Sequence, residues 1–166
     1  VFALCGNLQG AAECPPQPEV RAEKKFVLDW LSRPEVVTQF GEISEAIWRF
    51  AELGLQEFKS SALLVKTLEK EGFHVDTGLA GMPTCFVASY GTGQPVIGIL
   101  AEFDALPMLS QKGGVPNREP LVEGAPGHGC GHNLMGSAAT AAAIAVKRCM
   151  EKHDLRGTLK LFGSPA

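Results

Sequence analysis

No stretch of this 166-residue chain approaches the roughly 18 apolar residues that a membrane-spanning helix needs. The longest apolar run covers about nine, around Ala138 to Val146, so the sequence predicts no transmembrane segment. An excess of positive charge is also lacking. Fifteen Lys+Arg stand against 18 Asp+Glu, a net charge of −3, which leaves no electrostatic footprint for nucleic acid. No CxxC pair occurs among Cys5, Cys14, Cys85, Cys130 and Cys149. An odd cysteine count in a chain that is 45% hydrophobic argues against a disulfide scaffold. Internal repeats are absent. With 20% charged residues, the composition excludes disordered, collagen-like and coiled-coil chains, and the length suits one domain with a substantial core.

What is present begins with VFALCG, which leads through small residues into PPQPE. Residues 1–18 read either as the remnant of a secretory signal plus a linker, or as an arbitrary start within a domain. The first reading implies a periplasmic or secreted protein, the second a cytoplasmic one. The chain closes on LKLFGSPA, directly after a strand pattern of the kind found inside sheets. Residues 19–166 are therefore expected to form the N-terminal part of a larger domain.

Along the chain, apolar positions at threes and fours predict a helix from Glu19 to Leu31 and a second from Pro34, with Gly54 as its stop. A third is expected from Lys59 to Glu71, closed by Gly72. The period then drops to two, predicting strands over Phe73–Thr77 and Thr84–Tyr90. The continuously apolar run from Val96 to Ala101 predicts a central strand covered on both faces. A long irregular stretch, Asp104–Gly131, follows; such loops are often functional. Leu134, Met135, Ala138, Ala139, Ala142, Val146 and Met150 share one face of a predicted helix, broken by Gly157 before a strand over Thr158–Phe162. Helices followed by strands and a strand–loop–helix–strand unit predict a layered α/β fold.

In such folds, ligands gather beyond the carboxyl ends of the strands. Two motifs fall there, AEFDALP with Glu102 and Asp104, and GHGCGHN with His128, Cys130 and His132. A thiolate and an imidazole suit zinc, and imidazole also suits manganese and iron. Cys130 lies near a predicted helix N-terminus, which favours the thiolate. Glycines at 127, 129 and 131 would let backbone and ligand approach closely. Glu102 and Asp104 could orient a metal-bound histidine. The plainer alternative is a Gly-rich turn with a satisfied histidine and a core thiol, and for Asp104 an ordinary turn residue. Cys85 and Cys149 sit in apolar patterns, where a core thiol is the default.

The ordered series AEFDALP, GHGCGHN, helix, GTLKLFGSPA resembles the metallopeptidase superfamily of aminoacylase and carboxypeptidase G. It is most similar to the amidohydrolase branch that contains plant auxin-conjugate hydrolases and bacterial p-aminobenzoyl-glutamate hydrolases. IWRFAELGLQEFKSS is similar to that branch's N-terminal helical segment, and Asn133, in place of the Asp usual in auxin-conjugate hydrolases, leans towards the second group. The resemblance covers about residues 20 to 166. It implies an αβα catalytic domain with a central, mostly parallel or mixed sheet, and two divalent ions, zinc or manganese. Cys130 matches the metal-ligating or bridging cysteine, His132 the histidine beside it, and Asp104 the aspartate that supports the centre. Glu102 stands where other members carry a ligating histidine and is expected to support rather than ligate. His128 has no secure family role and is expected, like Glu102, to support the centre rather than ligate.

The resemblance also implies residues that these 166 do not include. In the family a Glu-Glu pair, general base and metal ligand, follows the strand resembling LKLFGSPA, so the general base is expected beyond Ala166. Further histidines, and an inserted domain that makes dimer contacts, come later. The implied activity is hydrolysis of an amide in an N-acyl or N-aminobenzoyl amino acid, or a small peptide-like conjugate, with this piece itself inactive. Two other classes compete: a hydrolase using Cys130 as nucleophile, activated by His128 or His132, and a non-catalytic binding module. Ser164 lacks the GxSxG elbow of a serine hydrolase.

Overall fold

The computed structural model describes residues 21–165. The suggested signal remnant and linker lie outside them, and so does Ala166, the residue after which the sequence reading expects the general base. Helix α1 runs from Ala22 to Leu31. Helix α2, Pro34–Phe50, starts with proline, whose fixed φ and missing N–H suit a first turn. Val36, Phe40, Ile43 and Ile47 form its buried stripe. It ends at Ala51, left-handed at φ 44° with its N–H on the Ile47 carbonyl, three residues before the expected stop at Gly54. Helix α3 spans Phe58–Lys70.

Strands β1 (His74–Thr77), β2 (Phe86–Thr92), β3 (Val96–Glu102) and β4 (Gly157–Ser164) make one sheet in the order β1-β2-β4-β3. The β1–β2 and β2–β4 pairs are antiparallel, and β3–β4 is parallel with helix α4, His132–His153, as the crossover. The sheet is therefore mixed, within an α/β fold. The strand expected at its centre is not there. Among the described strands β3 lies at the edge, and Val96, Ile97 and Leu100 are exposed. The inner positions belong to β2 and β4, and in β4 Leu159 and Leu161 are buried while Phe162 is exposed. A continuous apolar run reports a strand's affinity for cover on two faces, but not how much cover the neighbouring residues supply.

Helix α4 also buries a different face from the expected one. Leu134 and Met135 are exposed, whereas Asn133, Gly136, Ser137, Thr140, Ala141 and Ile144 are buried. The polar side chains can turn inward because they find acceptors. Ser137 Oγ donates to the Phe40 carbonyl at 2.5 Å, and Thr140 Oγ1 to the Gly136 carbonyl at 2.8 Å. Once paired, a buried hydroxyl no longer carries its desolvation penalty. The helix ends at Asp154, left-handed at φ 50°, ahead of the expected break at Gly157. The core itself joins Ile47, Leu64, Leu68, Phe86, Phe103, Ile144, Leu159 and Leu161, with the Phe86 and Phe103 rings stacked at 5.9 Å.

Candidate active site

The end of β3 is fixed from three sides. Its last pairs, Ala101 with Gly163 and Glu102 with Ser164, keep it in register with β4. Phe103 then plunges into the core, fully buried. One residue after Asp104, the Ala105 N–H donates to the Glu52 carbonyl at 2.7 Å. Asp104, between these two anchors, is 6% exposed. Glu52 does a second job with its side chain. Oε1 accepts the Lys59 N–H at 3.0 Å and Oε2 the Ser60 N–H at 2.9 Å, satisfying donors that the first turn of α3 leaves free. One residue thus ties the start of α3 to the loop that carries Asp104. A cap reaching seven residues along the chain has no short-range signature, so Glu52 was not legible as a site residue.

Opposite lies the GHGCGHN motif. Gly131 adopts φ 84°, open to glycine at little cost, and turns the chain into α4 at His132. Gly136 brings α4 close to β3: a Cβ there would meet the Phe103 Cβ at 3.0 Å and the Glu102 carbonyl at 3.1 Å. Asn133 is buried and bolts the same turn to α2, its amide donating to Ser44 Oγ at 3.1 Å. Asn133 thus has a local role, since an aspartate carboxylate could not supply that donor.

These approaches bring His132, Asp104 and Glu102 together. His132 Nδ1 donates to Asp104 Oδ1 at 2.5 Å, and His132 Nε2 lies 3.1 Å from Glu102 Oε2. With the proton on Nδ1, Nε2 and the neighbouring Glu102 oxygen are two acceptor atoms side by side. Two electron-rich atoms this close favour a cation beside them. The donor set therefore fits part of a divalent-metal site. Among the described residues no group of three or more His, Cys, Asp or Glu side chains is gathered to hold an ion. Cys130, two residues before His132 in the chain, is exposed.

The remaining expectations fall out differently. His128 Nε2 donates to the Ile47 carbonyl at 3.0 Å, and its Nδ1 is buried without a partner. Burial pushes its pKa below the usual histidine range, against opposing pulls from the Ile47 carbonyl and Asp104. At Gly127 and Gly129 the closely approaching group is the protein's own loop. A Cβ would meet the Leu109 carbonyl oxygen at 2.1 Å and Leu109 Cδ1 at 2.6 Å. Cys149 is a buried thiol donating to the Glu23 carbonyl at 3.6 Å, and burial raises its pKa and that of half-buried Cys85.

A cavity of about 490 Å³ opens beside His128 and Gly129, between the last turn of α2 and the 109–126 loop. The loop doubles back on itself. Leu106 and Gly127 exchange backbone hydrogen bonds at 3.0 Å, and the Ser110 N–H donates to the Ala125 carbonyl at 2.9 Å.

No protein-family model matches the chain. Individual relatives do. It is 43% identical over 127 residues to one of the subunits of the p-aminobenzoyl-glutamate hydrolase of Escherichia coli, covering 76% of this chain and 26% of the relative. It is 29% identical to IAA-amino acid hydrolase ILR1-like 2 of Arabidopsis thaliana, over 84% of this chain and 30% of the relative. Among solved structures it matches the Bacillus subtilis YXEP protein, described as a dinuclear metal-binding peptidase of the M20 family. The TM-score is 0.60 at 27% identity, covering 78% of this chain and 35% of that one. The chain spans about a quarter to a third of the length of these relatives. By motif, fold and these likenesses, the chain is similar over these residues to amidohydrolases and peptidases of the M20 family.

Proposed function

We propose that the protein carrying this chain is a metal-dependent amidohydrolase. Its substrate would be an N-acyl or N-aminobenzoyl amino acid, or a small peptide-like conjugate. The observation that carries this reading is His132, held by Asp104 on one ring nitrogen with the other facing Glu102 across 3.1 Å. A hydrogen-bonded carboxylate on Nδ1 fixes the tautomer in which Nε2 is the ligating atom. His132 and Cys130 would hold a divalent ion, zinc or manganese, with Glu102 beside it and a second ion completing the pair. Held there, such an ion would supply Lewis acidity to the scissile carbonyl and lower the pKa of an adjacent water.

The chain's own contribution is orientation. Asp104 retains the Nδ1 proton and aims the ring. Phe103 and the Glu52 carbonyl keep Asp104 in place, and Asn133 sets the first turn of α4. The carboxylate that accepts the water's proton and returns it to the leaving amine is the first glutamate of the family's Glu-Glu pair, which these 166 residues do not contain. The isolated chain is accordingly proposed to be inactive, and the complete protein to be capable of forming a homodimer.

A Cys130 nucleophile is the less favoured reading. His128 Nε2 is committed to the Ile47 carbonyl, and His132 is engaged by Asp104 and Glu102, so the known contacts of both imidazoles are with groups other than the thiol.

The test uses protein expressed from its complete reading frame. Release of the amino acid from N-acyl and N-aminobenzoyl glutamate is followed before and after chelation, then after adding zinc or manganese. Loss on chelation with recovery on re-addition is expected. Activity that survives chelation but ends when Cys130 is alkylated would overturn the proposal in favour of the nucleophile.

A further inference from the structure

Three of the six residues from Gly127 to His132 are glycines, and two of them, Gly129 and Gly131, flank Cys130. Glycine restricts its own backbone least of all residues, so the direction of the thiol has to be set by side chains anchored elsewhere. Helix α2 supplies the anchors. Phe40, Ser44 and Ile47 are spaced by four and three along it and share a face. In that order they meet Ser137, Asn133 and His128, which run the opposite way along the chain. Asn133 and Ser137 lie downstream of Cys130, within α4. His128 reaches α2 from the upstream side, its Nε2 donating to the Ile47 carbonyl at 3.0 Å.

The fold does not depend on that bond. The Ile47 carbonyl already accepts the Ala51 N–H at 3.1 Å at the end of α2, so it keeps a partner without the imidazole. A carbonyl can only accept, which puts the proton on Nε2 and leaves Nδ1 a bare acceptor, buried with no partner among the described residues. A buried acceptor without a donor is unfavourable. An apolar side chain would fill the same space without that penalty. Stability therefore does not account for a histidine here, whereas direction does.

We propose that His128 is a positioning residue: its bond to Ile47 holds the glycine-flanked turn so that the Cys130 thiolate can share the ion that His132 binds. This deepens the metal-dependent reading above and rests on it. Without the bond, Gly127 stays pinned to Leu106 by their paired backbone hydrogen bonds, and Asn133 still seats the start of α4 on Ser44. The freedom gained is confined to the few residues between these anchors, and Cys130 is among them. The defect is a misdirected thiol in an intact fold.

The experiment uses the complete protein, stripped by chelation and titrated with cobalt(II) alone. A cysteine that ligates cobalt adds a thiolate-to-metal charge-transfer band to the absorption spectrum. The band is expected in the unsubstituted protein and absent in Cys130→Ser. His128→Phe should keep the thermal melt, lose most of the band and bind cobalt about tenfold to a hundredfold more weakly. His128→Asn, too short to reach Ile47, should behave in the same way. His128→Gln, whose amide can donate to that carbonyl, should restore the band. A Cys130-dependent band that survives in the Phe and Asn variants, a folded Gln variant as weak as they are, or no such band in the unsubstituted protein would each overturn the proposal. Chelator-sensitive hydrolysis with an unaltered band in His128→Phe rejects the role of His128 and keeps the hydrolase. A Cys130 band that follows the Ile47 bond, without any hydrolysis, does the reverse.

Discussion

His132 Nδ1 and Asp104 Oδ1 lie 2.5 Å apart, although 28 residues separate them in the chain. The pair forms where the buried end of β3 meets the first turn of α4, so its geometry reports the packing of both elements. Asp104→Asn keeps the size and removes the charge. A tenfold to hundredfold loss of metal affinity in the complete protein is expected, the usual scale for a residue that orients a ligating histidine. Zinc titration by calorimetry checks it, and unchanged affinity would contradict the assigned role.

Asn133 and Ser44 join α4 to α2 through the Asn amide. Asn133→Asp places a carboxylate in that buried spot, where the Ser44 hydroxyl can supply only one hydrogen bond to it. The expected cost is about 1–3 kcal/mol, read as a lower urea midpoint of the 166-residue chain. Ser44→Ala leaves the buried Asn133 amide without its hydroxyl acceptor and should carry a cost of the same order.

The approach of Leu109 leaves no room at Gly127, where a Cβ would fall 2.1 Å from a carbonyl oxygen. Gly127→Ala should destabilise by about 1–3 kcal/mol, as overpacking typically does. Gly41 in the exposed part of α2 has nothing within 4 Å, and Gly41→Ala should instead stabilise by about 0.5–1 kcal/mol. Thermal melts of the two variants moving in the same direction would count against this account.

Leu161 on β4 is fully buried and Leu100 on β3 is 59% exposed. Leu161→Ala should cost about 2–5 kcal/mol, and Leu100→Ala about 0.5 kcal/mol or less in either direction. Denaturant unfolding compares them directly. Equal losses would show Leu100 on β3 to be as buried as Leu161 on β4.

Among the described cysteines, Cys130 is exposed, Cys85 half-buried and Cys149 buried, with burial raising the pKa of the latter two. Because the thiolate is the reacting form, iodoacetamide at neutral pH should modify Cys130 first and Cys149 last. Peptide mapping by mass spectrometry follows the order. A fast Cys149 would mean that α4 does not pack on α1 as described.

The sequence by itself determined most of the element types, the α/β class and the order of the motifs that carry the candidate site. Those properties are local: Pro34 at a first turn, apolar spacing along α2, and glycine at the one position, Gly131, where φ 84° opens α4. The motif residues His132, Asp104 and Glu102 were likewise legible, since their types and their position after a strand are written in order. Tertiary structure alone decided which of them meet. The sequence predicted neither the edge position of β3 nor the inward turn of Ser137 and Thr140, because burial depends on what packs from elsewhere in the chain. Glu52, Ser44 and Gly136 escaped notice for the same reason. Each acts on a partner distant in sequence, through a carbonyl, a hydroxyl or a missing Cβ, and only folding brings those partners within hydrogen-bond or contact range.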